Sequence, residues 1–363
     1  MNSTMTEQRV MLADSIARLL RDSVNAPGGQ TAVSESWPAA LWHQLEEMGL
    51  PMLLVDEVAG GFGGDWEDAQ IVAQAMGMYA VGLPLLETML ARRLASRCGI
   101  ALPGGVVGLA PVALGALDRR GDGRAQFTGT LHSVPWGRQL TNVVALFERE
   151  GQAQLLVMSR ASASDVRESR NPAGEPRDRL SFDAAEVIAA PVDAVLLRDV
   201  TYDCALMRVG QIAGALEAVL ARSIAYARDR VQFGKPIGQF QVVQQQLAVF
   251  GAEVAAAGCA ARAAFRSAAL GEARFEIAAA KLRANLAIDA CTAIAHQVHG
   301  AIGFTHEHDL RHYTQRLWSW RSEFGNDRQW SETLGQAVIA RGVDAFWADL
   351  TQRGDAAALG VAA

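Results

Sequence analysis

The apolar positions along this chain change their period twice. Over the first hundred residues they fall at helical spacing. "WPAALWHQLEEMGLP" sets Leu41, Leu45 and Met48 on one face, with Pro38 near the start and Gly49 near the stop. "GGFGGDWEDAQIVAQAMGMYA" opens as a glycine-rich loop and continues as an amphipathic helix. That loop lacks a preceding strand and the GxGxxG spacing of a dinucleotide site, so it reads as a flexible connection. From about residue 100 to 199 the pattern becomes short and β-rich. "QFTGTLHSVPW", "LTNVVALFERE", "AQLLVMS" and "DAVLLRDVTY" are strands in this reading, and the polar "SASDVRESRNPAGEPRDR" is a surface loop. From about residue 204 the helical period returns, in three long stretches over 205–231, 239–270 and 273–299 with no internal break. Each would run roughly 40 Å, a length that suggests a four-helix bundle shared between subunits.

The pattern therefore predicts a mainly α protein with a small β domain. An N-terminal helical domain (1–100) is followed by a middle antiparallel β domain (101–200) and a C-terminal four-helix bundle (201–363). Composition adds little to this and excludes several functions. Half of the 363 residues are apolar and the net charge is −6, so no basic face speaks for nucleic acid. Four cysteines far apart in sequence suggest reduced thiols rather than a disulfide framework. The first twenty residues are too polar for a signal peptide, and no uninterrupted apolar run of about 18 residues marks a membrane span. The expected location is the cytoplasm.

Two stretches carry chemistry. "YARDRVQFGKPIGQFQVVQQQLA" breaks two good helices with a basic, aromatic, glycine-bearing elbow, and "QVHGAIGFTHEHDL" follows about fifty residues later. A plain turn needs only Gly or Pro. A guanidinium offers a fork of donors to phosphate oxygens, Gly removes a Cβ from the approach, and an aromatic face suits a flat cofactor. The elbow reads as a receiver for an anion and a ring. The histidines of "HEHDLRH" (His306, His308 and His312) show no HExxH, and no metal site is expected.

Together these motifs resemble the acyl-CoA dehydrogenase family, and "LWHQLEEMGLPMLLVDEVAGGFGG" is similar to that family's N-terminal helices and loop. The resemblance implies FAD as cofactor, an acyl-CoA substrate and an electron-transfer flavoprotein as acceptor. In that family one subunit's β domain holds the flavin ring, and a neighbour's elbow and Gln-Gly turn hold the pyrophosphate and adenosine. By this resemblance Arg230 contacts the pyrophosphate with Gln232 and Phe233 beside it. Gln241 and Gln297 serve the adenosine side, and Gly300 with Ala301 lets the backbone approach. Ala301 departs from the family's usual second Gly.

The family's catalytic carboxylate is where this chain departs most. The stretch corresponding to the usual base is "EFG", which puts Phe324 at that position and Glu323 one residue early. The alternative position, at the start of the first long C-terminal helix, holds Cys204 followed by Ala205. The flavin-lining motifs of the β domain are missing from "GLAPVALGALDRRGDGRAQF". They survive only as "GTLHSVPWG", where Ser133 and Pro135 replace an aromatic and a Thr and Trp136 more readily packs in a core than on a flavin. The half-site serving a neighbour's flavin is thus retained and the half-site for the chain's own flavin is degraded. This resembles the shorter subunit of the heterotetrameric members that act on sterol and bile-acid side chains, which implies a longer partner subunit. Two other readings stay open: a self-sufficient homotetramer with Glu323 as base, and a non-catalytic scaffold that binds acyl-CoA or flavin.

Overall fold

The computed structural model describes residues 2–25, 37–119, 125–271, 273–305, 307–342, 344, 345, 347 and 348. Its contacts divide the chain into two compact units, Met1–Ala69 with Ala80–Cys204, and Gln70–Tyr79 with Ala205–Ala363. The first unit thus gathers the N-terminal helices and the sheet. The second gathers the C-terminal helices and one segment borrowed from the N-terminal region.

In the first unit, α1 (Asn2–Asn25) and α2 (Ala39–Glu47) precede α3 (Trp66–Met78), whose first turn belongs here, and α4 (Leu85–Arg97). Arg9 on α1 binds Asp65, Glu67 and Asp68 at the start of α3, at 2.6, 2.5 and 3.0 Å. The glycine-rich loop before α3 is packed rather than flexible. Gly63 and Gly64 donate to Val55 O and Leu53 O at 2.8 Å, and a Cβ on Gly61 would lie 2.0 Å from Val55 O. Helix α4 is buried on nearly all sides, polar residues included. Arg92 donates to the carbonyls of Pro103 and Gly105, and Thr88 to Val107 O.

The sheet comprises β1 (Val107–Ala110), β2 (Ala113–Arg119), β3 (Ala125–Pro135), β4 (Asn142–Arg149), β5 (Gln152–Ser159), β6 (Asp165–Arg167) and β7 (Arg177–Val192). Its order is β1-β4-β5-β7-β3-β2, with β6 on β7. It is antiparallel except for β1, which runs parallel to β4. The sixteen-residue β7 pairs with β3 along its first part and with β5 through 188–192, so one strand serves both halves of the sheet. Phe127, Leu131, Leu155, Leu180 and Phe182 fill the interior. The polar segment 162–179 is less a surface loop than its composition suggests. It contains β6, and its Asp178 is fully buried, accepting from Arg138 and from Ser169 N. Charge alone does not expose a residue when every lone pair finds a donor.

Helix α5 (Ala194–Asp229) begins at 194 rather than at the 205 that the helical pattern predicts, because "DAVLLRDVTY" is its first turns and not a strand. Asp193 accepts from Leu196 N at 2.7 Å and so caps the start, while Leu196 and Val200, four apart, turn inward. In the second unit α5 is followed by the short strands β8 (Val231–Gln232) and β9 (Lys235–Pro236), then α6 (Gln241–Leu270), α7 (Arg274–His299), α8 (Leu310–Ser322) and α9 (Asp327–Arg341). The second half of α3 crosses α5 at glycines. A Cβ on Gly77 would sit 1.9 Å from Gln211 O, and one on Gly214 1.9 Å from Gln74 O. Helices α5 and α6 are both long and apolar enough to cross a membrane by length and composition, with windows of equal mean hydropathy, 1.4. The window in α5 is 83% buried and that in α6 only 33%.

Candidate functional site

Helix α5 ends when Arg230 N makes a last bond to Tyr226 O and Ile237 N returns to Arg230 O at 2.8 Å. Between them β8 and β9 form a hairpin that pairs Val231 with Pro236 and Gln232 with Lys235. Its two-residue loop, Phe233-Gly234, has φ of 50° and 81°, the positive pair that a type I′ turn requires. Phe is a poor residue for that conformation, and it is 93% exposed. Its ring meets Phe240 edge-on at 6.2 Å, and Lys235 Nζ lies 4.5 Å over the Phe240 ring. Arg230, Gln232 and Gln241 are exposed as well, and among the described residues the Arg230 side chain engages nothing.

The other predicted contacts lie at the end of α7. Gln297 is exposed, and Gly300, with φ 65°, closes the helix by donating to His296 O. Ala301 is exposed in the short 3-10 turn Gly300–Phe304. Ring contacts fasten the ends of α5 and α7 side by side. Tyr226 stacks on His299 at 4.5 Å, His308 meets both rings edge-on, and Arg222 pairs with Asp309 at 2.7 Å. His296 lies between Phe304 and Trp318 at 4.0 and 5.5 Å. Burial pushes both His296 and His299 below the usual imidazole range. These two therefore pack as neutral rings at neutral pH. His306 lies outside the described residues.

Elbow and Gln297–Ala301 turn thus share one corner of the helical unit. Its exposed donors suit a pyrophosphate and a nucleoside held from outside: one guanidinium, three amides and a turn at Gly300 with open space where a Cβ would be.

Glu323 is elsewhere. Its position follows α8 and pairs with Arg208, about 30 Å along α5 from the elbow. Arg208 is buried. It donates to Glu323 at 2.8 Å and to Gln211, and lies 5.2 Å over Trp320 and 5.4 Å over Phe324. Phe324 has φ 55°, and a Cβ on Gly325 would lie 2.3 Å from Trp330 Nε1, so the backbone here is tightly held. A lysine completes the junction. Lys281 is fully buried, with Nζ bonded to Asn285 Oδ1 and to the carbonyls of Trp320, Arg321 and Gly325. Burial pushes it down to about 7, and Arg208 adds to the effect. Neither Arg208 nor Lys281 is singled out by sequence reasoning. The signal is a cation set in an otherwise apolar helical run, Arg208 in "CALMRVGQI" and Lys281 in "IAAAKLRANLA", where Arg283 is a second.

In the first unit Cys204 is buried, and Ser133 and Trp136 take positive φ, 52° and 56°. Trp136 is 5% exposed and meets the Trp37 ring edge-on at 5.6 Å, so it packs against its own N-terminal segment.

Comparison with known proteins gives the family. The family model "Acyl-CoA dehydrogenase, C-terminal domain" matches residues 203–329, and "Acyl-CoA dehydrogenase, N-terminal domain" matches 6–99. The acyl-CoA dehydrogenase IpdE2 of Mycobacterium tuberculosis is 29% identical over 86% of this chain and 92% of its own length. That of Mycolicibacterium smegmatis is 27% identical over 86% and 93%. Among solved structures, the ChsE4-ChsE5 complex from Mycobacterium tuberculosis has a TM-score of 0.81 at 21% identity, over 92% of this chain and 97% of the matched one. The Tcur3481-Tcur3483 steroid ACAD has 0.81 at 21%, over 93% and 99%. Two family models spanning well over half of the residues, and relatives matched nearly end to end, give one conclusion: the chain belongs to the acyl-CoA dehydrogenase family, flavoprotein oxidoreductases that dehydrogenate acyl-CoA thioesters.

Proposed function

We propose that this chain is a base-lacking subunit of an FAD-dependent acyl-CoA dehydrogenase, and that it completes the FAD site of a longer homologous subunit. The observation that carries the proposal is a contrast in exposure. Arg230, Gln232, Phe233, Gln241 and Gln297 stand outward at one corner, while Glu323 is tied to the buried Arg208. When bound, FAD supplies the acceptor for the two electrons that leave the acyl chain. This chain's part is to hold it. Arg230 carries the charge facing the pyrophosphate, Phe233 covers a flat face, and Gln241 with Gln297 satisfies the adenosine side around Gly300 and Ala301. The partner supplies the carboxylate that takes the α-proton, since Phe324 and Cys204 stand at the two positions where the family carries it.

The surface supports a partner of the same fold. The face of α6 that continues from the elbow is apolar and open, with Val242, Val249 and Leu270 more than half exposed. The structures that share this fold include a steroid acyl-CoA dehydrogenase and a two-component complex. A bulky steroid-linked acyl-CoA, an electron-transfer flavoprotein as acceptor and a cytoplasmic location belong to the same proposal.

The test is flavin content by visible absorbance, with the chain produced alone and then with a longer homologue that has an intact base. Little flavin alone, rising to one per heterodimer, is the expected result. Near one flavin per chain alone, with acyl-CoA oxidation lost in Glu323→Gln, would overturn it in favour of a self-sufficient homotetramer. Acyl-CoA binding without turnover in either preparation would leave a scaffold.

A further inference from the structure

Strands β6 and β7 set two arginines side by side. Their register pairs Asp165 with Ser181, Val166 with Leu180 and Arg167 with Arg179. Directly opposed residues of an antiparallel pair share a face, with Cβ atoms about 5 Å apart, and successive residues alternate between faces. Leu180 is turned into the core and fully buried, while Arg167 and Arg179 are both exposed on the outer face. On the other side of β7 the register with β3 slips between Leu131 and Val134, so His132 and Ser133 together oppose Arg179. Such a bulge re-aims side chains at an otherwise regular sheet. Here both of its residues are exposed, and Ser133 takes a positive φ.

Like charges placed directly opposite each other weaken a strand pair. The nearest acids of the segment are committed to other arginines. Asp178 and Glu168 hold Arg138, and Glu175 holds Arg177. Asp165 shares the outer face two residues along β6, opposite Ser181. Among the described residues the side chains of Arg167 and Arg179 have no acid and no hydrogen-bond partner. In a chain of net charge −6, two unmatched cations set face to face are a local exception. An arriving anion would remove the repulsion between them.

We propose that this face of the sheet binds a phosphate monoester dianion, held between the guanidinium groups of Arg167 and Arg179 with His132 and Ser133 at its edge. Near neutrality such a group carries a charge of about −1.5 to −2 and three strong acceptor oxygens. One phosphate therefore balances both arginines and accepts from both forks, whereas a carboxylate balances one. The same chemistry is offered by inorganic phosphate and by the monoester on the ribose of CoA, the carrier of this family's substrates. None of these residues belongs to the corner assigned to FAD, so the site is independent of that role.

The experiment is calorimetric titration of the full-length chain near neutral pH, at fixed ionic strength, with sodium phosphate, CoA and dephospho-CoA. The last lacks the ribose monoester. The wild type should bind phosphate, and Arg167→Gln and Arg179→Gln should each weaken that binding about tenfold, the worth of one hydrogen bond to a charged group. Arg328→Gln, at an exposed position on α9, should leave it unchanged. CoA binding about tenfold tighter than dephospho-CoA, with the gap lost in both variants, would support the site with the substrate's monoester as its ligand. Equal binding of the two, with phosphate still bound, would support it with the free anion. A second readout is thermal unfolding. Without phosphate the midpoint should be higher in either variant, because the repulsion is relieved, and added phosphate should raise it in the wild type more than in the variants. No phosphate binding by the wild type, or binding that survives unchanged in both variants, would overturn the proposal.

Discussion

Two arginines of the helical unit, Arg208 and Arg230, are used in opposite ways. Arg208 is buried at the α8–α9 junction, where Glu323, Gln211 and the rings of Trp320 and Phe324 surround it. Arg230 is exposed at the elbow, beside an almost wholly exposed Phe233, and engages nothing among the described residues. The difference teaches where to look for chemistry. The junction has a carboxylate near the family's base position, but that carboxylate is committed inward. The elbow has no reactive group, but its Arg230 guanidinium stands outward, exposed to another molecule.

Four substitutions would break or sharpen this contrast. The largest effect is expected from Lys281→Met, which leaves the carbonyls of Trp320, Arg321 and Gly325 without their donor. A loss of about 3 kcal/mol is expected in chemical denaturation, with flavin uptake per folded molecule unchanged. Lys281 also fixes a pH dependence. It titrates near 7 folded and near 10.5 unfolded, so between those values the unfolded chain binds more protons. Stability from this group should rise as pH increases from 7 towards 10, and the rise should vanish in Lys281→Met. Next comes Arg230→Met, for which FAD affinity of the assembled enzyme should fall about tenfold or more, while the melting temperature of the chain alone does not move.

Glu323→Gln keeps a hydrogen-bonding partner for Arg208 and removes the charge. It should cost about 2 kcal/mol of stability and leave turnover of the heteromer within threefold, measured with an acyl-CoA and an artificial electron acceptor. Abolished turnover would make the junction catalytic and dissolve the contrast. The smallest effect is expected from Phe233→Asn. Asn tolerates the positive φ that Phe233 holds, so the chain alone should gain about 0.5 kcal/mol while flavin retention weakens.

The sequence made the elbow legible because its chemistry is out of place in a turn: Arg230, Gln232 and Phe233 have no local duty between two helices. The long helices were legible through their period. What escaped was non-local. "DAVLLRDVTY" is as β-branched as a strand, and only burial of Leu196 and Val200 along α5 decides for helix. β7 carries no single pattern along its length, since its residues up to Val187 pair with β3 and its last five, from Ile188, with β5. Glu323 is a lone acid near a known position in the sequence. Its role depends on Arg208, 115 residues earlier, and no spacing rule connects them.

The open flank of α6 has a consequence for the life of the protein in a cell. A subunit made in excess of its partner would expose a long apolar helix to chaperones, proteases and its own copies. With the proposed longer partner, its abundance should follow that of the longer chain, the surplus being degraded or aggregated. Matched synthesis of the two would then be as much a requirement of this fold as any residue in it.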